Sequence, residues 1–91
     1  MRTGSLRDGE RLSSPIRRLV DDRARWRVLV QTWHDQDRYY GRFVFEPDGD
    51  RPSRDRREGP AALSGISRED VLRSAHDVPE ERLRALLHSL S

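Results

Sequence analysis

A chain of 91 residues, 33% hydrophobic and 37% charged, builds one small domain around a thin core, for which a second copy or a partner is a reasonable expectation. It has no Cys, which excludes a disulfide framework and a thiolate site, and no apolar run approaches the roughly 20 residues that span a bilayer. All 18 basic residues are Arg and the net charge is only +2, small for a nucleic-acid binder.

Arg without Lys has two readings. The planar guanidinium binds phosphate and carboxylate in bidentate fashion, whereas a GC-rich genome favours Arg codons without any selection for binding. The second is the stronger reading. The charge is nevertheless uneven: residues 1–27 hold eight Arg against four acids, and the rest of the chain is near neutral. Attraction to a polyanion would therefore come from the N-terminal third. Met1–Ser5 leads into no hydrophobic signal segment, so a cytoplasmic location is expected.

Residues 1–13 carry Gly4, Gly9, several Arg and only two Leu, which reads as a flexible N-terminal arm; residues 14–91 form the domain. Ser14 can cap a helix and Pro15 suits a first helical position, where its missing N–H would be unpaired anyway. Ile16, Leu19 and Val20 follow at i, i+3, i+4. This spacing predicts a short N-terminal helix ending near Asp22 and Arg23.

Ala24–Glu46 reads as one β-hairpin with its faces already sorted. Trp26, Val28, Val30 and Thr32 alternate with Arg27, Leu29, Gln31 and Trp33. Beyond the polar break at His34–Asp37, Tyr39, Gly41, Phe43 and Phe45 alternate with Tyr40, Arg42, Val44 and Glu46. Pairing Trp33 with Arg38 would set Trp26 against Phe45; a register two residues away keeps the same faces, and a one-residue slip does not. Gly41, in mid-strand, is expected to leave room for an aromatic ring.

Pro47-Asp48-Gly49 turns the chain out of the sheet, and residues 48–60 read as a mobile polar loop in which Arg and acids balance. Pro60–Ser64 reads as a short third strand at an edge. Ser67, with Asp70 three residues on, marks a helix start; Ile66 and Val71 supply a hydrophobic staple. Val71, Leu72 and Ala75 make its buried stripe. After Pro79, Leu83, Leu86, Leu87 and Leu90 define one face of a last helix. The fold class is thus α+β: a small antiparallel β-sheet, a hairpin plus a third edge strand, packed on two C-terminal helices, with a short N-terminal helix.

Chemical motifs are scarce. His34, Asp35 and Asp37 cluster at the hairpin tip, but a four-residue turn offers a metal no preorganised shell. His76 and His88 have no spacing partner, Asp48 and Asp50 open no complete calcium loop, and no Gly-rich phosphate loop occurs. No catalytic residue, cofactor site or metal site is therefore assigned, and the chain is read as non-enzymatic.

Two surfaces remain. Leu29, Trp33, Tyr40 and Val44, fringed by Arg27, Arg42 and Gln31, share the sheet face away from the main core; Trp and Tyr framed by Arg is the composition of a protein interface. Either the N-terminal helix covers this face or another chain does. The second surface is Arg17, Arg18, Arg23, Arg25 and Arg27, a candidate nucleic-acid site with Trp33 and Tyr40 available for base stacking. The order of elements from Tyr39 to Ala75, with Ser-Gly-Ile-Ser-Arg-Glu-Asp-Val-Leu at the helix start, resembles the strand-strand-strand-helix halves of antitoxins of the HicB type. It covers about a third of the chain and carries over no functional residue. The leading expectation is a protein-binding or self-associating module; the alternative is a small nucleic-acid-binding or antitoxin-like regulator.

Overall fold

The computed structural model describes residues 10–21, 24–48 and 56–90. Three long strands, β1 (Arg11–Asp21), β2 (Ala24–Asp35) and β3 (Arg38–Pro47), run antiparallel in chain order. Two short strands, β4 (Arg57–Glu58) and β5 (Leu63–Gly65), both pair along the far edge of β3. Helices α1 (Arg68–His76) and α2 (Glu80–Ser89) pack on one side of this sheet. The α+β architecture matches the expectation.

The N-terminal helix does not form; residues 11–21 are the edge strand β1. The reason is a β-bulge. The pairing of β1 with β2 shifts register between Pro15 and Arg17, so Ile16 is an extra residue on its strand. Ile16 and Leu19 are three apart, which on a regular strand would separate their faces. The bulge lets both reach the core, Leu19 fully buried and Ile16 packed against it. A helical spacing thus sits on a strand, and Pro15 is tolerated there because an edge strand can spare its missing N–H. Parts of the expected arm and loop are strands. Arg11–Ser13 belong to β1 and Arg57–Glu58 to β4, while residues 1–9 and 49–55 lie outside the described residues.

The hairpin has the expected faces in a register two residues away. Trp33 pairs with Tyr40, Val30 with Phe43, Val28 with Phe45 and Trp26 with Pro47. The shift follows from a tighter turn: Asp35 pairs with Arg38, leaving Gln36 and Asp37 as a two-residue loop. Gln36 takes a φ of 58°, the left-handed value such loops require.

On the inner face, Leu19, Trp26, Val28, Val30, Phe43 and Phe45 meet Val71 and Ala75 of α1 and Leu83 and Leu87 of α2. Each such side chain stabilises by about 1.5–3 kcal/mol when fully buried, so a core this small works only if burial is nearly complete. Gly41 makes room for Val71, not for an aromatic ring: a Cβ there would lie 2.5 Å from Val71 Cγ1. The Ser67 cap forms as expected, its Oγ accepting from Asp70 N at 3.1 Å. Ile66 does not staple it; this side chain is 75% exposed.

Candidate functional site: the open face of the sheet

Because both helices lie on the inner face and β1 extends the sheet sideways, no described element covers the outer face. Its residues follow from strand parity. One row across the sheet reads Arg11, Trp33, Tyr40 and Ser64; the next reads Ser13, Gln31 and Arg42. Pro15, Leu29, Val44 and Glu58 come next, followed by Arg18, Arg27 and Glu46. A solvated antiparallel face normally carries polar side chains at its centre. Here the two central strands present Leu29, Trp33, Tyr40 and Val44.

The aromatic row is ordered. The rings of Trp33 and Tyr40 stack at 6.2 Å between centroids with 27° between planes, and the Arg11 guanidinium lies 4.2 Å from the Trp33 ring centre. Gln31 Oε1 accepts from Arg42 Nε at 2.8 Å and from Arg11 Nη1 at 3.4 Å. Arg42 Nη2 also reaches Glu58 at 3.1 Å. Arg27 pairs with Glu46 at 3.0 Å, and Arg56 lies within 4 Å of both Glu46 and Glu58. The charge pairs are partly exposed and add little to stability. Their effect is to hold long side chains in fixed positions around the apolar centre.

The structure brings all five expected interface residues onto this one face. Leu29, Trp33, Tyr40 and Arg42 are half-buried there. Val44 is on the same side but only 1% exposed, so it forms the floor of the surface and not a contact point. The candidate nucleic-acid set, by contrast, is split. Arg18, Arg25 and Arg27 lie on the open face, Arg17 falls opposite Val28 on the inner side, and Arg23 lies outside the described residues. Two of the three outer Arg have acidic neighbours, Glu46 for Arg27 and Asp48, at 3.7 Å, for Arg18.

Arg11, Arg56 and Glu58 complete the face and were not legible as part of it, whereas Gln31 and Glu46 follow from the strand alternation. Only the pairing of β1 and β4 to the hairpin places Arg11, Glu58 and Arg56 there, and in sequence these three fall in the expected arm and loop. At the hairpin tip His34 stacks on Tyr39, with centroids 4.6 Å apart. Among the described residues no group of three metal-ligating side chains occurs, and no helix is long and apolar enough to cross a membrane. Comparison with protein-family models, curated proteins and solved structures gives no match, so residues and geometry alone carry the functional argument.

Proposed function

We propose that this chain is a non-enzymatic protein-binding module whose working surface is the open face of its sheet. The observation that carries this reading is the stacked Trp33–Tyr40 pair beside Leu29, set in a frame of Arg, Gln and Glu. Half-buried aromatic and apolar groups at the centre with a polar rim is the anatomy of a protein interface. Charge points to the kind of partner. The face carries Arg11, Arg18, Arg25, Arg27, Arg42 and Arg56 against Glu46, Asp48 and Glu58, while the other described residues hold seven Arg against nine acids. The open face is therefore positive and the rest of the described residues negative. Two copies meeting face to face would oppose like charges, so an acidic protein surface suits it better than a second copy.

A nucleic acid would be drawn by the same sign, but its bases would need the ring faces. Arg11 already lies over the Trp33 ring, and Glu46 and Glu58 would oppose phosphates beside Arg27 and Arg42. In-cell photo-crosslinking separates these outcomes. A photoreactive residue at Ser13 or Ser64, both exposed on the open face, is expected to give one discrete protein adduct. The same residue at Arg73 or Glu81 on the helices is expected to give none. The adduct should fall at least fivefold when Arg42→Glu is added. Nuclease-sensitive adducts, or equal labelling from both sides, would overturn the proposal.

A further inference from the structure

On the inner side of the sheet, near the hairpin tip, an open-sided cavity of about 120 Å³ is bordered by Arg68 of α1 and by Thr32, Trp33, His34, Tyr39, Leu12 and Glu10. Arg68 opens α1 and reaches back across the sheet. Its Nε donates to Thr32 Oγ1 at 3.1 Å and its Nη2 to Ser14 Oγ at 2.5 Å. Both partners are neutral hydroxyls. Among the described residues no carboxylate lies within 4 Å of this half-buried guanidinium, and a partly desolvated cation normally has an anion beside it. Arg42 and Arg84, half-buried like Arg68, each have one.

The guanidinium carries five N–H donors, and the two hydroxyls use two of them. Three remain for a further acceptor. His34 and Tyr39 also border the cavity, their ring centroids 4.6 Å apart, and the His34 ring nitrogens and Tyr39 hydroxyl take part in no side-chain hydrogen bond among the described residues. Leu12 adds a half-exposed apolar wall. The one opposing group is the Glu10 carboxylate at the rim, which is exposed and makes no ion pair with Arg68.

We infer that this cavity is a binding site for one small oxyanion, held by Arg68 with His34 and Tyr39 as further donors and with Glu10 as a weakening like charge. Carboxylate and phosphate share the chemistry that Arg68 reads, since both accept a bidentate pair from a guanidinium. The cavity shares Trp33 with the open face, but the inference does not rest on the proposal made for that face.

Titration with sodium phosphate and with sodium acetate, followed by NMR of the His34 and Tyr39 ring protons, tests the assignment and tells the two sources apart. Sodium chloride at matched ionic strength is the control. Saturable movement of both rings with phosphate or acetate, absent with chloride, is expected. Arg68→Gln should abolish it. Because that change also removes the link to Ser14 and Thr32, Glu10→Gln provides a second arm that leaves the link intact. Removing the rim charge should tighten binding about two- to fivefold, the range of an exposed charge pair. Ring shifts that follow ionic strength alone, or an affinity unmoved by Glu10→Gln, would overturn the inference.

Discussion

Gly41 and Val71 show how closely α1 sits on the sheet. A methyl group at Gly41 would meet Val71 Cγ1 at 2.5 Å and Val30 Cγ1 at 3.3 Å, inside a core with no slack. Gly41→Ala should therefore destabilise by about 1–3 kcal/mol in urea unfolding, the range for overpacking. Val71→Ala in the same chain should recover part of that loss, giving a favourable coupling in the double-mutant cycle. Gln36 behaves in the opposite way. Its φ of 58° is costly for a side-chain-bearing residue, so Gln36→Gly should raise stability by about 1 kcal/mol. Several residue-scale features were open to sequence reading because they rest on local chemistry: the Ser67 cap, the Leu83–Leu87 stripe, and the inward Trp26 against the outward Trp33. Arg68 was not. Its partners Ser14 and Thr32 are 54 and 36 positions away, and no local pattern announces a contact of that range.

At the scale of elements, β1 divides what was legible from what was not. The two helices and the hairpin each follow one periodicity throughout, and each forms as that periodicity requires. In β1 the bulge at Ile16 interrupts the two-residue alternation, and what remains matches a helical repeat. Its strand character comes from the open edge of β2, a tertiary partner that the segment itself does not encode. β1 is also the edge of the sheet, and exposed edges template pairing with other chains. Pro15 and the bulge blunt this edge, and Arg84 Nε donates to the Val20 carbonyl at 3.0 Å. Pro15→Val restores an N–H and a strand-forming side chain. It should produce concentration-dependent association by light scattering, whereas Arg11→Ala, which leaves the edge backbone as it is, should not.

Over the described residues the molecule is a one-sided sheet, with both helices on one side and an apolar centre framed mainly by Arg on the other. That arrangement could be read only in part from sequence. Strand parity gave the candidate face, but the expected helical cover required a helix from Ser14 onward, and Arg11–Asp21 are a strand. With that helix replaced by a strand, the face becomes wider and gains Arg11 and Arg18. Trp33→Ala should lower partner crosslinking strongly while costing the fold less than a core truncation such as Leu83→Ala, which should lose about 2–5 kcal/mol.

Acrylamide quenching of single-Trp variants at dilute protein tests most directly whether the open face is uncovered. Trp26→Phe leaves only Trp33, and the fold should accept it because the buried Trp26 N–H has no acceptor among the described residues. Trp33→Phe leaves only Trp26, which is 7% exposed in the core. Trp33 should be quenched several times more readily than Trp26. Equal protection of the two indoles would mean that the chain covers this face itself, and would contradict the proposed docking surface.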